Sequence, residues 1–116
     1  MSTMTTLPLS ASTNGRPIKV AATATPGTLV HTASATAQDR VFLTLTNTTT
    51  GPIAVTGEKG GVTSPDDLVV EAFDVPGGGF PWELPPMQLA GGLVIRVFAA
   101  SANVILVDGF VNRWAG

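Results

Sequence analysis

Side chains able to do nucleophilic, acid–base or metal chemistry are few in this 116-residue chain, and they do not assemble into a recognisable set. There is no cysteine, which excludes thiolate nucleophiles, thiolate zinc sites and disulfides. His31 is the one histidine, and no Gly-x-Ser-x-Gly elbow accompanies it. A zinc enzyme would also lack a second imidazole, so His31 reads as a structural residue within a β stretch. Asp66, Asp67, Glu71, Glu83 and Asp108 offer the carboxylate types that a glycosidase uses as acid and base, but their spacing in sequence sets no separation in space. Asp66 and Asp67 follow Pro65 and fit turn chemistry; a calcium pair is the other reading, without the Asp-x-Asp-x-Asp-Gly pattern. Gly57-Glu58-Lys59-Gly60-Gly61 superficially suggests a phosphate loop. It lacks the Gly-x-x-x-x-Gly-Lys-Ser/Thr spacing and a following helix, and is expected to be a turn. Asn47-Thr48-Thr49 matches a glycosylation acceptor, which matters only in a secretory pathway. No apolar h-region or basic residue precedes Arg16, so no signal peptide is expected. The expectation is a protein with no catalytic residue, no cofactor and no metal.

The charge pattern narrows the partners. Lys and Arg total six, scattered at positions 16, 19, 40, 59, 96 and 113, and the net charge is −2. No basic patch faces a phosphate backbone, so nucleic acid is not an expected partner. Charged residues make up 12% of the chain, against about 25% in ordinary soluble domains. With a mean hydropathy of +0.35, this is too apolar for disorder and sparse in charge for a solitary monomer. Either a small domain is kept soluble by threonine, or partners cover part of its surface. A membrane span is not expected, because Thr, Ser, Pro and His31 interrupt the uncharged stretch from Val20 to Gln38.

The elements that must carry any surface are strands. The length suits one domain with one core. Residues 1–15 show neither a helical nor a strand period and read as an extended N-terminal arm, removable without unfolding the domain at 16–116. Arg16–Ala22 and Thr28–Thr32 are short strand candidates separated by Pro26-Gly27. In Val41–Thr46, Val41, Leu43 and Leu45 face one side and Phe42, Thr44 and Thr46 the other. The turn residues after Asn47 suggest a hairpin with Ile53–Thr56. Leu68–Phe73 carries apolar groups on both faces, which predicts a strand interior to a sheet or covered on both sides. Four prolines and three glycines make Pro76–Pro86 a long loop. Leu93–Ala99 and Asn103–Val111, joined by a tight connection, suggest a closing hairpin in which Arg96 is the odd residue. No helix of useful length survives the Gly, Pro and β-branched residues. Seven or eight short strands predict an all-β antiparallel sandwich or jelly roll.

Four stretches, Thr28–Ala33, Val41–Thr48, Gly91–Ala99 and Asn103–Arg113, resemble in order and style the small virion structural proteins of tailed bacteriophages, in particular head decoration (cement) proteins. The resemblance spans roughly residues 28 to 113 and rests on a style of β sequence. It implies a non-catalytic subunit on the capsid exterior, made in the host cytoplasm, that bridges neighbouring major capsid proteins and assembles as a homotrimer. Such a role needs an overlapping arm or loop and few long charged side chains to desolvate. The candidate interface residues are Leu7 and Leu9 in the arm, Phe80, Trp82 and Leu84 in the loop, and Trp114 near the C-terminus. Phe80 and Trp82 fit either an interface anchor or a cap on the protein's own core. A neck, tail or fibre component and a carbohydrate-binding module are the alternatives.

Overall fold

Strict alternation dictates the central strands. In β4 (Gln38–Asn47), Asp39, Val41, Leu43, Leu45 and Asn47 are buried while the residues between them are not, the pattern of a strand with one face on a core. Its main partner is β10 (Ile105–Ala115), matched over ten residue pairs from Ile105–Asn47 to Trp114–Gln38. The computed structural model describes residues 3–115.

The remaining strands are β1 (Thr3–Pro8), β2 (Ile18–Lys19), β3 (Thr28–Thr32), β5 (Ile53–Lys59), β6 (Leu68–Val75), β7 (Pro81–Glu83), β8 (Met87–Leu89) and β9 (Val94–Ala99). One sheet runs β1-β10-β4-β7, with β2 beside β10 and β8 beside β4; the other runs β3-β9-β5-β6. All ladders are antiparallel and they nest: β1 and β2 pair with β10, β3 with β9, β4 with β7 and β8, and β5 with β6. Because β1/β2 and β7/β8 each occupy one strand position, the chain is an eight-position double ribbon rolled into two sheets. That is jelly-roll topology, an all-β sandwich as expected. Leu43, Leu45, Val55, Ile95, Ile105 and Val107 are among the side chains buried between the sheets.

Within the extended segment at 1–15, Thr3–Pro8 lie along the sheet: β1 is hydrogen-bonded along β10 from Thr3–Ala115 to Pro8–Phe110, and Leu9 is 1% exposed within the core. A Thr-rich segment can add to a sheet without strict alternation, since β propensity plus one buried anchor suffices. Several local expectations are corrected. Two proposed hairpins are instead arches between sheets, because β4 and β5, like β9 and β10, lie in different sheets. Asn47 builds the first arch, donating from Nδ2 to the carbonyls of Gly51 and Val75 and accepting at Oδ1 from the Thr49 N–H and hydroxyl. That fixes this buried side chain in a structural role. β6 is an edge strand, not an interior one, with Val69 and Phe73 exposed. Gly57–Lys59 belong to β5, and Gly60-Gly61 open the loop that follows, which a hydrogen bond from the Lys59 N–H to the Asp67 carbonyl closes. Asp67 Oδ2 also accepts from the Thr63 N–H, which is the turn role expected of it. Gly109 sits where β10 crosses β4 closely: a Cβ there would lie 1.8 Å from the Phe42 carbonyl oxygen.

Candidate interaction surfaces

In an antiparallel ladder, residues directly opposite share a face. The register therefore places three rows on the outer face of the first sheet: Met4, Trp114 and Gln38; then Thr6, Asn112 and Arg40; then Pro8, Phe110 and Phe42. Arg40 is the one charged side chain among these nine. Phe42 and Phe110 stack with ring centroids 4.6 Å apart and planes 13° from parallel, while Met4, Phe110 and Trp114 are each more than 40% exposed. Thr6 donates from Oγ1 to Asn112 Oδ1 at 2.9 Å, which satisfies part of the polar row within the chain itself. The result is an apolar and hydroxyl-lined strip, of the kind that marks a contact surface more than a solvated one. The stacked phenylalanines turn one ring face on each other, so a flat platform for sugar rings is not what they present.

A second surface lies at the opposite edge. β7 pairs with the Thr44–Thr46 end of β4, and Trp82 meets Phe73 of β6 edge to face at 6.3 Å. These two rings close the mouth between the sheets. Behind them Leu43, Leu45, Val69, Leu84 and Met87 line an apolar crevice with a cavity of about 10 Å³. That is barely one water's worth of space, so no small molecule fits. Phe80 stands outside this cap, 68% exposed. At the other side of the molecule Ser12, Thr13, Arg16 and Lys19 border an open polar depression of about 270 Å³.

A buried ionic network joins four segments. His31, 1% exposed, accepts at Nδ1 from the Ser10 N–H at 3.1 Å, so Nε2 carries the hydrogen and donates to Asp39 Oδ2 at 2.8 Å. Asp39 also accepts from Arg113 Nε at 2.7 Å and Nη2 at 3.0 Å, and from the Ser34 N–H. Burial alone would raise the Asp39 pKa; the hydrogen bonds from Arg113, His31 and Ser34 and the Arg113 charge outweigh it and lower the pKa to about 2. The same contact raises the pKa of Arg113. A Ser–His–Asp set invites a catalytic reading, but Ser10 meets the imidazole through its backbone N–H. Its Oγ accepts from the Thr32 N–H instead. No base is therefore aimed at that hydroxyl, and the set works as a clamp. Sequence reasoning missed this network; the one signal was three ionisable residues on otherwise apolar or Thr-rich strands.

The six candidate interface residues do not converge. Leu9 is buried in the core, and Leu84 is half-buried and packed against it. Leu7 is half-buried in β1. Trp82 is half cap and half surface, Phe80 is surface, and Trp114 lies at the far end of β10 opposite Gln38. Gln38 and Leu45, the partner of Trp82, are seven residues apart along the strand, or about 23 Å. Phe42, Phe110 and Met4, which sequence reasoning did not select, join Trp114 instead. Glu83 and Asp108 lie across β4 from each other, both opposite Thr44, and among the described residues no three His, Asp or Glu side chains gather as a metal cage. Comparison with protein-family models, curated proteins and solved structures finds no match to this chain.

Proposed function

We propose that the protein is a non-catalytic structural subunit that docks on a larger protein assembly, of the head-decoration type that the sequence resemblance implies, with the major capsid protein of a tailed phage as partner. The observation that carries this reading is the outer face of the first sheet, where nine clustered positions hold one charge and expose Met4, Phe110 and Trp114. Docking such a face removes apolar area from water while desolvating few charges. Phe80 at the far edge would add a second, separate contact. Jelly rolls recur in viral capsid and lectin domains, but fold alone does not select between them. The stacked Phe42–Phe110 pair favours a protein partner over a sugar.

The test is quantitative mass spectrometry of purified particles of the phage that encodes the chain. Hundreds of copies per particle would support decoration. A dozen or fewer would replace it with a neck, tail or fibre position, and absence from the particle would overturn the virion reading. Phe110→Ser in the purified protein, added back to undecorated particles, should abolish attachment while leaving the fold intact.

A further inference from the structure

The four sheet edges of the sandwich are not equally protected. At the β3 edge, residues 10 and 11 cover the strand: the Ser10 N–H donates to His31 Nδ1, the Ala11 N–H to the Val30 carbonyl, and the Thr32 N–H to Ser10 Oγ. At the β6 edge, Ala72 takes a φ of +47°, the ladder with β5 shifts register twice, and Glu71 and Asp74 bring charge. The β7/β8 edge consists of three-residue strands interrupted by Pro81, Pro85 and Pro86. These are the usual devices against edge-to-edge pairing: covering, bulging, charge, shortness and proline. β1 has almost none of them. It is six residues long, Thr-Met-Thr-Thr-Leu-Pro, pairs with β10 in an unshifted register and carries no charge. Among the described residues its other side has no partner strand, and Thr3 to Thr6 are all exposed.

We propose that β1 is a homodimerisation edge, where a second copy of this chain adds its own β1 antiparallel to make one continuous sheet across a twofold axis. The occupant follows from the edge itself. An uncharged strand can oppose its own copy without like-charge repulsion, and a twofold pairing is self-complementary by construction. A closed trimer built by strand addition would need a second open edge on each copy to receive the first, and the other three edges are guarded. The threefold expectation therefore gives way to a twofold one for this contact. Opposed residues must share a face, so the register is centred on one residue. Centring on Thr5 sets Thr5 against Thr5, Met4 against Thr6 and Thr3 against Leu7 of the second copy. Pro8, which has no N–H to donate, then lies outside the ladder. The aromatic face stays uncovered, so this inference is independent of the docking reading above.

Five residues a side make an interface below the standard size, so the dimer is weak, with a Kd of about 10 µM to 1 mM. The experiment is sedimentation equilibrium of the full chain over that range, with hydrogen exchange read at low and high concentration. The expected result is a rise from 11.8 kDa toward twice that mass, with amides of residues 4–7 gaining protection. Thr5→Lys, at an exposed position, would set Lys against Lys and should weaken association by about fivefold or more. Thr3→Lys serves if the first variant does not fold, and Phe110→Ser should leave the dimer unchanged. A mass that stays monomeric to about 1 mM would overturn the proposal. So would a trimer, or a dimer that survives both lysines and is lost in Phe110→Ser.

Discussion

Asp39→Asn tests whether the buried network is a clamp that stabilises the fold. The Asp39 side chain has no exposed surface, and its pKa is lowered from 3.8 to about 2. At about 1.36 kcal/mol per unit, the ionised carboxylate contributes about 2 kcal/mol to folding at neutral pH. Asparagine removes that and replaces one acceptor by an N–H₂ group. Both carboxylate oxygens now accept only from N–H groups of Arg113, His31 and Ser34. Whichever oxygen is replaced, donor faces donor, a further cost of about 1–3 kcal/mol. Arg113, 30% exposed, can turn toward water and limit the loss. The expected destabilisation is about 3 kcal/mol at pH 7, measured by urea unfolding. The sign of its pH dependence follows from the lowered folded-state pKa. The contribution is complete above the unfolded value of 3.8 and is lost as pH falls through 2. The gap between wild type and variant should therefore hold from pH 7 to about pH 5 and shrink toward 1 kcal/mol near pH 2. A gap below about 1 kcal/mol at pH 7, or one unchanged between pH 5 and pH 2, would refute the reasoning.

Other positions separate packing from surface. Leu9→Ala should cost about 2–5 kcal/mol in urea unfolding, because it empties a core site; deletion of residues 1–15 should be at least as damaging, where a free arm would leave stability unchanged. Gly109→Ala should lower the thermal midpoint and broaden amide signals along β4 and β10, since its methyl would drive into the Phe42 carbonyl. Phe80→Ala should change stability by no more than about 0.5 kcal/mol, whereas Trp82→Ala, which opens the mouth beside Phe73, should cost more than Phe80→Ala in the same denaturation assay. Equal costs would remove Trp82 from the cap.

The strands were legible where burial on one face imposes alternation, and their partners were not. Val41, Leu43 and Leu45 announced the inner face of β4, and Phe42, Thr44 and Thr46 the outer, because a period of two is a property of the strand itself. β3 begins and ends at the residues that Pro26-Gly27 and the local β propensity suggest. Pairing is a property of the whole chain. Turn-rich residues such as Thr48–Gly51 can close a hairpin within a sheet or an arch between sheets, and only the buried bonds of Asn47 decide for the arch. β6 looked interior because Val69 and Phe73 are apolar, yet at an edge such residues can cap a mouth, as Phe73 does with Trp82. The outer aromatic face needed the register, since Phe42, Phe110 and Met4 are far apart in sequence and meet only through β1-β10-β4.

The network and the open edge are mechanically linked. Thr3 to Thr6 gain little from burial, since they are exposed, so the chain's ordering entropy there must be offset by what flanks them. On one side that is the β10 ladder. On the other it is Leu9 in the core and Ser10 held against His31 and Thr32. Arg113 lies directly opposite both Thr5 and Asp39, so its bidentate grip on the carboxylate fixes β10 at the level where the proposed dimer axis crosses β1. A ribbon held at that point meets a second copy already extended, and binding then loses less conformational freedom than ordering a loose arm would. Loosening the clamp should therefore weaken pairing as well as folding. In Asp39→Asn, amides of β1 should exchange faster in the monomer before any global unfolding, and the dimer should dissociate at higher concentration than wild type does. Unchanged β1 exchange in that variant would show that the ladder and Leu9 hold the edge without help from the buried charges.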